Sequence, residues 1–429
     1  SAFRHPVLYI KVSGAGSAHQ KVNSIVAGVR STEDVKGSSF QLIETGEDTD
    51  AFTGSFNIGA YPSFQDAKIG ARLDNKIYIT FFSRAGEKTF SLEVTGQWLA
   101  VGENQPALSS ASYISMKIHN GVIYVAFSDE LHDDRVSVVK CENNRWSYVG
   151  EPGISAGAAR EINLGIYMSN PCVLYSDVSA EFRATMLYFD GNRWNALGAR
   201  DFSAPKASYL TMSVAGDSIF VAYTNMFSEG RASIMKYDPE NGWNNFTGSG
   251  LSDVRVDYNN IVCDGNSIYF LTRHTNKAGF LLFKFDGARW NELTVTPMKV
   301  KCEMLGLKVN NGLPYILYSE SDGGLLYLIQ YKNGEWLPIG KGAISEGRNL
   351  FSNLAFSGDT PYAVFTDGAH GNRVIVMKFA DGEWKSVGDK GLSAGMAGYT
   401  CIDCYDGEPY IVFRDTTAGE RMKVLKYEY

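Results

Sequence analysis

The chain of 429 residues has no uninterrupted apolar run of about 18 residues, the length that a membrane-spanning helix needs. It also has no cluster of consecutive lysines and arginines, and its formal net charge is −7. A nucleic-acid-binding surface needs a positive stripe that displaces phosphate counterions. We therefore expect no membrane span and no nucleic-acid partner.

Cysteine is scarce, and the six cysteines form no disulfide framework. Cys401 and Cys404 have the spacing of a redox motif, but they fall in a predicted strand, without the helix N-terminus that lowers the pKa of a reactive thiol. We expect them to be buried and unreactive. No second cysteine pair and no His-x-x-x-His cluster is present, so we expect neither a metal site nor a cofactor.

The motifs of several enzyme classes are missing as well, namely Gly-x-Ser-x-Gly, His-Glu-x-x-His and the phosphate-binding loop. This favours a binding protein over an enzyme. The chain begins at Ser1 without methionine or a hydrophobic leader, which is typical of a mature exported protein or of a shortened chain. We expect an extracytoplasmic monomer.

What the chain does have is an even spacing of tryptophan. The tryptophans are Trp98, Trp146, Trp194, Trp243, Trp290, Trp336 and Trp384, and the successive gaps are 48, 48, 49, 47, 46 and 48 residues. Spacing this even marks one structural unit copied along the chain. No long segment has the 3.6-residue period of an amphipathic helix, whereas 44 glycines, 24 tyrosines and 24 phenylalanines suit many short strands and turns.

Each repeat is predicted to form four short strands, A to D. In one copy, A covers 353–356, B covers 361–365, C covers 374–379, and D begins at Trp384. Residues that tolerate positive φ join A to B eight times, at Asp74-Asn75, Asn120-Gly121, Ser169-Asn170, Gly216-Asp217, Asp264-Gly265, Asn311-Gly312, Gly358-Asp359 and Asp406-Gly407. Four-stranded units repeated every 40 to 50 residues or so are typical of a β-propeller. The sequence therefore predicts an all-β, eight-bladed propeller of four-stranded antiparallel blades.

Closure of the ring can also be predicted. The chain ends on a strand C at Lys423 to Tyr429, with no strand D after it. In most repeats the strand-D tryptophan lies 22 or 23 residues before the A–B turn, and counting back 23 residues from Asn75 reaches Phe52. We expect an N-terminal strand around Phe52 to close the eighth blade, which removes exposed sheet edges.

This closure sets the expected domain organisation. Residues 50–429 form the propeller, and residues 1–49 form an extension or cap that contains strands. The strands of the extension are predicted at Pro6–Val12 and Phe40–Glu44.

The ends of the repeats resemble those of a known group. Asp286-Gly-Ala-Arg-Trp290 and Asp381-Gly-Glu-Trp384, with Val-Gly following in several copies, resemble the Trp-terminated propeller repeats of exported bacterial proteins. The resemblance covers residues 50–429 and implies the fold. The repeat is distantly similar to the Asp-box of sialidases, which also lies between strands C and D, but the Ser-x-Asp-x-Gly-x-Thr-Trp spacing is not met. No catalytic residues carry over.

The tryptophans keep an invariant place in strand D, with Val or Leu three residues on in most copies. This pattern predicts packing between blades rather than stacking against a sugar.

Charged residues recur after strand B. Five repeats have an acid or amide followed six positions later by arginine: Asp129 and Arg135, Asp177 and Arg183, Asn225 and Arg231, Asp367 and Arg373, Asp415 and Arg421. The two positions flank the B–C loop, where a bidentate carboxylate–guanidinium contact would hold the loop. We interpret the pairs as loop staples copied with the repeat, and the alternative is one ligand site per blade.

Cations recur in the D–A connections. Lys206, Arg255 and Arg348 each follow a tryptophan by 12 residues, and Arg160 and Lys301 are near-equivalents. The D–A and B–C loops of a propeller share one face, called here the loop face. The cations either bridge adjacent blades or present a cationic rim to an anionic ligand.

Two adjacent repeats break the Asp/Arg pattern. One has Arg273 to Lys277 after strand B, and the next has Glu320 to Asp322. Function is expected where a repeat is broken, because symmetry alone serves the fold. The predicted ligand-binding residues are Arg255, Arg273, His274, Lys301, Glu320 and Arg348.

The sequence therefore predicts an exported, non-catalytic binding protein with a glycan or glycoconjugate on its loop face. One alternative is a carbohydrate-active enzyme, a glycoside hydrolase or polysaccharide lyase. A hydrolase would need two carboxylates about 5 to 10 Å apart, from different blades. The other alternative is a protein-interaction scaffold with an unbroken apolar patch.

Overall fold

The computed structural model describes residues 7–13, 24–32, 34–45, 51–59, 68–70, 76–83, 86–93, 96–103, 110–248, 251, 255–276, 278–293 and 302–428. These residues form strands, loops and five short 3-10 turns, and none of their helices is long and apolar enough to cross a membrane. The 3-10 turns are Glu130–His132, Val178–Ala180, Met226–Ser228, Gly368–His370 and Thr416–Ala418. The chain divides into two compact units, residues 1–97 with 428–429 and residues 98–427.

The first unit contains one seven-stranded sheet. Its strands are β1 (Val7–Ser13), β2 (Ser24–Ser31), β3 (Ser38–Glu44), β4 (Ala51–Gly59), β5 (Lys68–Gly70), β6 (Lys76–Ser83) and β7 (Gly86–Glu93). The order in the sheet is β1-β4-β3-β2-β6-β7, and β5 pairs with β4 in parallel. Strands β1 and β3 confirm the two strands predicted in the N-terminal extension.

The second unit consists of four-stranded antiparallel blades. Strand β8 spans Gln97–Ala100, and blade 1 contains β9 (Ala111–His119), β10 (Val122–Asp129), β11 (Arg135–Glu142) and β12 (Arg145–Tyr148). Blade 2 contains β13 (Ala159–Tyr167), β14 (Asn170–Asp177), β15 (Arg183–Phe189) and β16 (Trp194–Ala196). Blade 3 contains β17 (Ala207–Ala215), β18 (Ser218–Asn225), β19 (Arg231–Asp238) and β20 (Gly242–Asn245). Blade 4 contains β21 (Val256–Asp264), β22 (Ser267–His274), β23 (Phe280–Phe285) and β24 (Trp290–Leu293).

The remaining blades follow the same plan. Blade 5 contains β25 (Cys302–Asn310), β26 (Leu313–Glu320), β27 (Leu326–Lys332) and β28 (Glu335–Pro338). Blade 6 contains β29 (Asn349–Ser357), β30 (Thr360–Asp367), β31 (Arg373–Ala380) and β32 (Glu383–Ser386). Blade 7 contains β33 (Ala397–Tyr405), β34 (Glu408–Asp415) and β35 (Arg421–Glu428), with β8 as its fourth strand.

The blades close into a ring through their first strands. These inner strands contact one another in chain order, and β33 of blade 7 also contacts β9 of blade 1. The hydrophobic core lies between neighbouring blades. For example, Val125 and Val139 of blade 1 pack with Val412 and Val424 of blade 7. This arrangement confirms the predicted all-β propeller of four-stranded antiparallel blades.

The predicted blade count and closure need correction. The described residues form eight sheets, and seven of them are four-stranded blades. Phe52 lies in β4, where its register partners are Val12 of β1 and Glu44 of β3, and it is fully buried in the core of the first unit. The strand that completes the last blade is β8, which contains Trp98.

The physical reason is that a hairpin signal does not specify a sheet. The predicted turn at Asp74-Asn75 lies outside the described residues, and β6 after it pairs with β2 and β7. The two compact units accordingly divide at residue 97, beyond the boundary expected at residues 49 and 50.

The tryptophans of the repeat link the blades, as predicted. In six of the seven, the indole Nε1 donates to the backbone carbonyl that lies three residues after the preceding tryptophan in the ring. Trp336 is the exception, because its buried Nε1 has no hydrogen-bond partner among the described residues. The tryptophan pattern therefore serves cohesion of the ring.

Candidate functional site

Each inner strand has a register shift near its start, at the loop face. At this bulge, six of the blades hold a non-glycine residue with φ between 49° and 53° within the described part of the chain. These six residues, called here the bulge residues, are Tyr113, Glu161, Tyr209, Tyr258, Phe351 and Tyr399. Bulges redirect side chains, and positive φ in a bulky residue is strained, which is often associated with function.

Aromatic rings of neighbouring bulges contact one another. The ring centroids of Phe351 and Tyr399 are 5.1 Å apart, those of Tyr399 and Tyr113 are 5.6 Å apart, and those of Tyr209 and Tyr258 are 5.1 Å apart. Phe351 and Tyr209 each remain more than a third exposed, at 37% and 38%. The bulge residues therefore present aromatic surface at the loop face, and Glu161 interrupts it between blades 1 and 3.

A pocket of about 260 Å³ opens at this interruption. The residues that line it come from blades 1, 2 and 3 and are Tyr113, Arg160, Glu161, Ser176, Phe182, Lys206, Ala207, Ser208 and Met226. Phe182 and Met226 belong to B–C loops, and Lys206 belongs to a D–A loop. The pocket combines aromatic faces with two cations, one carboxylate and three hydroxyl groups.

Glu161 is fixed by blade 3. Its Oε2 accepts a hydrogen bond from Leu210 N at 2.9 Å, and Asn163 Nδ2 donates to the carbonyls of Leu210 and Glu161 at 3.1 and 2.9 Å. Desolvation raises the pKa of Glu161, while backbone hydrogen bonds from Leu210 and Tyr209 and the charge of Arg160 oppose that shift. One wall of the pocket is therefore held by hydrogen bonds and carries a carboxyl group whose pKa is raised.

The two cations of the pocket contact an aromatic ring and the backbone, respectively. The guanidinium carbon of Arg160 lies 5.6 Å from the ring centroid of Phe182, and the backbone N of Lys206 donates to Glu181 O at 2.8 Å. Neither side chain forms an ion pair with any residue that the structure describes. Their charges are available to a ligand.

Arg273, a predicted site residue, is held by a bidentate ion pair. Its Nε and Nη2 donate to the two carboxylate oxygens of Asp257, both at 2.7 Å, and its Nη1 donates to Cys302 O at 2.6 Å. The guanidinium also lies 4.6 Å from the ring centroid of Tyr258. The hydrogen bond to Asp257 raises the pKa of Arg273.

Other predicted site residues meet at the start of β25. Arg348 Nη2 lies 3.2 Å from Glu303 Oε2, and Glu320 is the register partner of Cys302. Arg273, Glu320 and Arg348 therefore approach one short segment from three blades.

Arg255 and His274, two further predicted site residues, make other contacts. Arg255 lies beside Gly230 of blade 3, because a Cβ on that glycine would meet Arg255 Cγ at 2.8 Å. His274 Nδ1 accepts from Asn276 N of its own loop at 3.0 Å. Lys301 lies outside the described residues.

The five acid or amide residues after strand B do hold their loops, but not through arginine. Each side chain caps a 3-10 turn, accepting from the backbone N of Leu131, Ser179, Phe227, Ala369 or Thr417 at 2.9 to 3.2 Å. None of the four Asp/Arg pairs is within ion-pair distance, although all eight residues are described. The reason is that the acids point inward and are almost fully buried, whereas Arg183, for example, donates to Ser203 O at 2.9 Å.

Cys401 and Cys404 are half-buried, and all six cysteines are unpaired. Desolvation raises the pKa of Cys401 to about 11 and that of Cys404 to about 12. These thiols are protonated at neutral pH, which agrees with the prediction that they are unreactive.

The sequence prediction missed the bulge residues, although a signal was present. All six lie 15 residues after a tryptophan of the repeat. Arg160 and Lys206 were recognised as part of the cation series, but their position beside Glu161 in one pocket depends on how blades 1, 2 and 3 pack.

No protein-family model and no curated protein sequence matches this chain. Among solved structures, it is similar to polysaccharide lyase Uly1, with 13% identity, 78% of this chain and 93% of that chain covered, and a TM-score of 0.50. It is also similar to SapL1 lectin in complex with alpha methyl fucoside, with 16% identity, 65% and 95% covered, and a TM-score of 0.47. The Aleuria aurantia lectin AAL has 16% identity, 68% and 100% covered, and a TM-score of 0.43. The likeness to Uly1 is one of fold alone. The resemblance to Trp-terminated repeats or the Asp-box is not confirmed.

Proposed function

We propose that the protein binds a glycan or glycoconjugate, without catalysis, in the pocket between blades 2 and 3. The observation that carries this proposal is the lining of the pocket, in which Tyr113 and Phe182 stand beside Arg160, Glu161 and Lys206. Sugar rings have apolar C–H faces that pack on aromatic rings, and hydroxyl groups that hydrogen-bond with charged side chains. A concave site that offers both suits a saccharide.

The charge of the pocket favours a glycan that carries a carboxylate or sulfate. Arg160 and Lys206 form no ion pair with the described residues, whereas the one carboxylate of the lining, Glu161, already accepts a hydrogen bond from Leu210 N. A guanidinium group binds planar anions through two parallel hydrogen bonds. We expect affinity to rise when the sugar is acidic.

The experiment is a glycan-array screen of the purified protein, followed by titration calorimetry with the best acidic glycan. The double variant Arg160→Ala/Lys206→Ala should weaken binding at least about tenfold, which corresponds to about 1.4 kcal/mol. The matched control is Arg193→Ala/Arg289→Ala, which removes two exposed arginines on C–D turns.

Equal loss in both double variants would indicate a nonspecific charge effect and contradict the proposal. A second comparison uses Arg273→Ala/His274→Ala, which tests the site predicted around blades 4 to 6. Loss of binding only in that variant would place the ligand there. Release of shortened or unsaturated saccharides from the glycan would instead favour the carbohydrate-active enzyme.

A further inference from the structure

The ring axis of the propeller carries an unusual set of charged groups. Lys117 in β9, Lys308 in β25 and Asp403 in β33 occupy the same register position of their inner strands, opposite Tyr124, Tyr315 and Tyr410 respectively. The equivalent residues of the other four inner strands are Gly165, Ser213, Val262 and Ala355. Charged side chains are thus confined to three blades at this level.

The surroundings of Lys308 show that its ammonium group extends toward the axis. The charges that act on it belong to Lys117 of blade 1 and to Asp403, Cys401 and Cys404 of blade 7. Neither of these blades neighbours blade 5 in the ring. Lys308 can lie near both only by reaching across the centre.

Asp403 does not neutralise the two lysines by direct contact. Its Oδ2 accepts from Ile118 N and its Oδ1 accepts from Cys404 N, both at 3.0 Å. Lys117 and Lys308 form no hydrogen bond or ion pair with any residue in the described part of the chain. Cys401 and Cys404 are protonated at neutral pH, so they add no negative charge.

The pKa of Lys308 is lowered to about 8, mainly by repulsion from Lys117 and secondly by desolvation. Lys308 is therefore largely protonated at neutral pH. Two half-buried ammonium groups at one level of the ring then share a single carboxylate, which already accepts hydrogen bonds from backbone amides. A small anion between them would supply the missing counter-charge and accept hydrogen bonds from both.

We propose that Lys117 and Lys308 form an anion site on the propeller axis, which takes a small inorganic anion or the carboxylate of a small acid. This site is separate from the pocket between blades 2 and 3 and does not depend on glycan binding.

The experiment is titration calorimetry of the whole protein with inorganic phosphate, at neutral pH and constant ionic strength. We expect saturable binding that Lys117→Met and Lys308→Met each weaken at least about tenfold. Methionine is chosen because it retains an unbranched apolar stem of similar length. Lys140→Met is the matched control, since Lys140 lies on β11 and already pairs with Glu142 at 2.7 Å.

Phosphate could also bind at Arg160 and Lys206, so the Arg160→Ala/Lys206→Ala variant is titrated in parallel. Loss of phosphate binding in that variant, with binding retained in Lys308→Met, would overturn the axial site. Absence of saturable binding of phosphate, chloride and acetate to the unmodified protein would overturn it as well. Should Lys308→Met not fold, Lys308→Gln serves the same comparison.

Discussion

The indole Nε1 of Trp98 donates a hydrogen bond to the carbonyl oxygen of Val387 at 2.7 Å. Trp98 lies in β8, the strand that completes blade 7, and Val387 follows the last strand of blade 6. The bond repeats the relation between Trp146 and Val101, also at 2.7 Å, at the point where the two ends of the propeller meet. One contact of the repeat therefore also closes the ring.

Replacing Trp98 with phenylalanine should destabilise the protein more than the same change at Trp336. Both substitutions remove ring area, but only Trp98 loses a hydrogen bond, because Trp336 Nε1 has no partner among the described residues. The expected difference in the free energy of unfolding is about 1 kcal/mol. Urea denaturation of both variants measures it. Equal losses would mean that the indole hydrogen bond contributes nothing to closure.

Gly388 should not tolerate alanine. It has φ of 75°, and a Cβ would lie 2.9 Å from Trp98 Cδ1 and 3.0 Å from Trp98 Nε1. Gly407 is the matched control, since it has φ of 83° but nothing within 4 Å of its Cβ position. Backbone strain alone should cost Gly407→Ala about 1 kcal/mol, and the clash should cost Gly388→Ala about 1 to 3 kcal/mol more. Thermal and urea unfolding check the ranking. A Gly388→Ala variant as stable as Gly407→Ala would rule out close packing against Trp98.

Asp367→Ala should destabilise the protein far more than Arg373→Ala. Asp367 is almost fully buried and accepts hydrogen bonds from the backbone N of Glu346, Gly347 and Ala369, all at 2.9 Å. Its loss leaves three amides without an acceptor and should cost about 2 to 3 kcal/mol. The side chain of Arg373 is exposed and forms no ion pair with Asp367, so its truncation should cost less than about 0.5 kcal/mol. Comparable losses would restore the carboxylate–guanidinium staple that the sequence suggested.

Lys308 should make stability rise with pH in the alkaline range. Its pKa is lowered from 10.5 to about 8 on folding, so between these values the unfolded chain holds a proton that the folded chain lacks. Stability increases with pH in that window, and below about pH 8 the charged lysine is a net cost. Since Lys308 is half-buried, we expect Lys308→Met to gain only about 1 kcal/mol at pH 7.

The measurement is the free energy of unfolding of both proteins from pH 7 to pH 10.5 in phosphate-free buffer. The difference between them isolates Lys308 from tyrosines and cysteines that titrate in the same range. The gain of the variant should shrink toward high pH, and added phosphate should reduce it at pH 7. A difference that does not change with pH would show that Lys308 keeps an ordinary pKa.

Local sequence was sufficient for the blades themselves. Strand B of the copy at 361–365 and the strand D beginning at Trp384 were predicted closely, because alternating apolar residues and turn residues act over a few positions. The seven tryptophans correspond to the seven four-stranded blades in the described residues. The hairpin signal at Asp74-Asn75, which has no tryptophan repeat of its own, was misleading, since the strand after it joins the sheet of the first unit.

Local patterns do not predict which distant strands and side chains pair. The last blade is completed by β8 and not by the Phe52 strand. Both strands lie more than 300 residues before their candidate partner β35, and each has a suitable aromatic residue. The sequence likewise located the acids after strand B but did not predict their partners. These side chains are buried and accept hydrogen bonds from backbone amides, not from arginine. Spacing constrains neighbours along one strand, whereas packing selects among distant groups with similar chemistry.

The repeat, the strand order within each blade and the structural role of the tryptophans thus follow from short-range patterns in the sequence. The pocket of Arg160, Glu161 and Lys206 and the axial pair of Lys117 and Lys308 do not. The pocket forms because blades 1, 2 and 3 pack side by side, and the axial pair shares one level of the axis because seven blades close into one ring. A ring of six or eight blades built from the same repeat would place these side chains at other distances and beside other residues. Their chemistry therefore depends on the assembled fold.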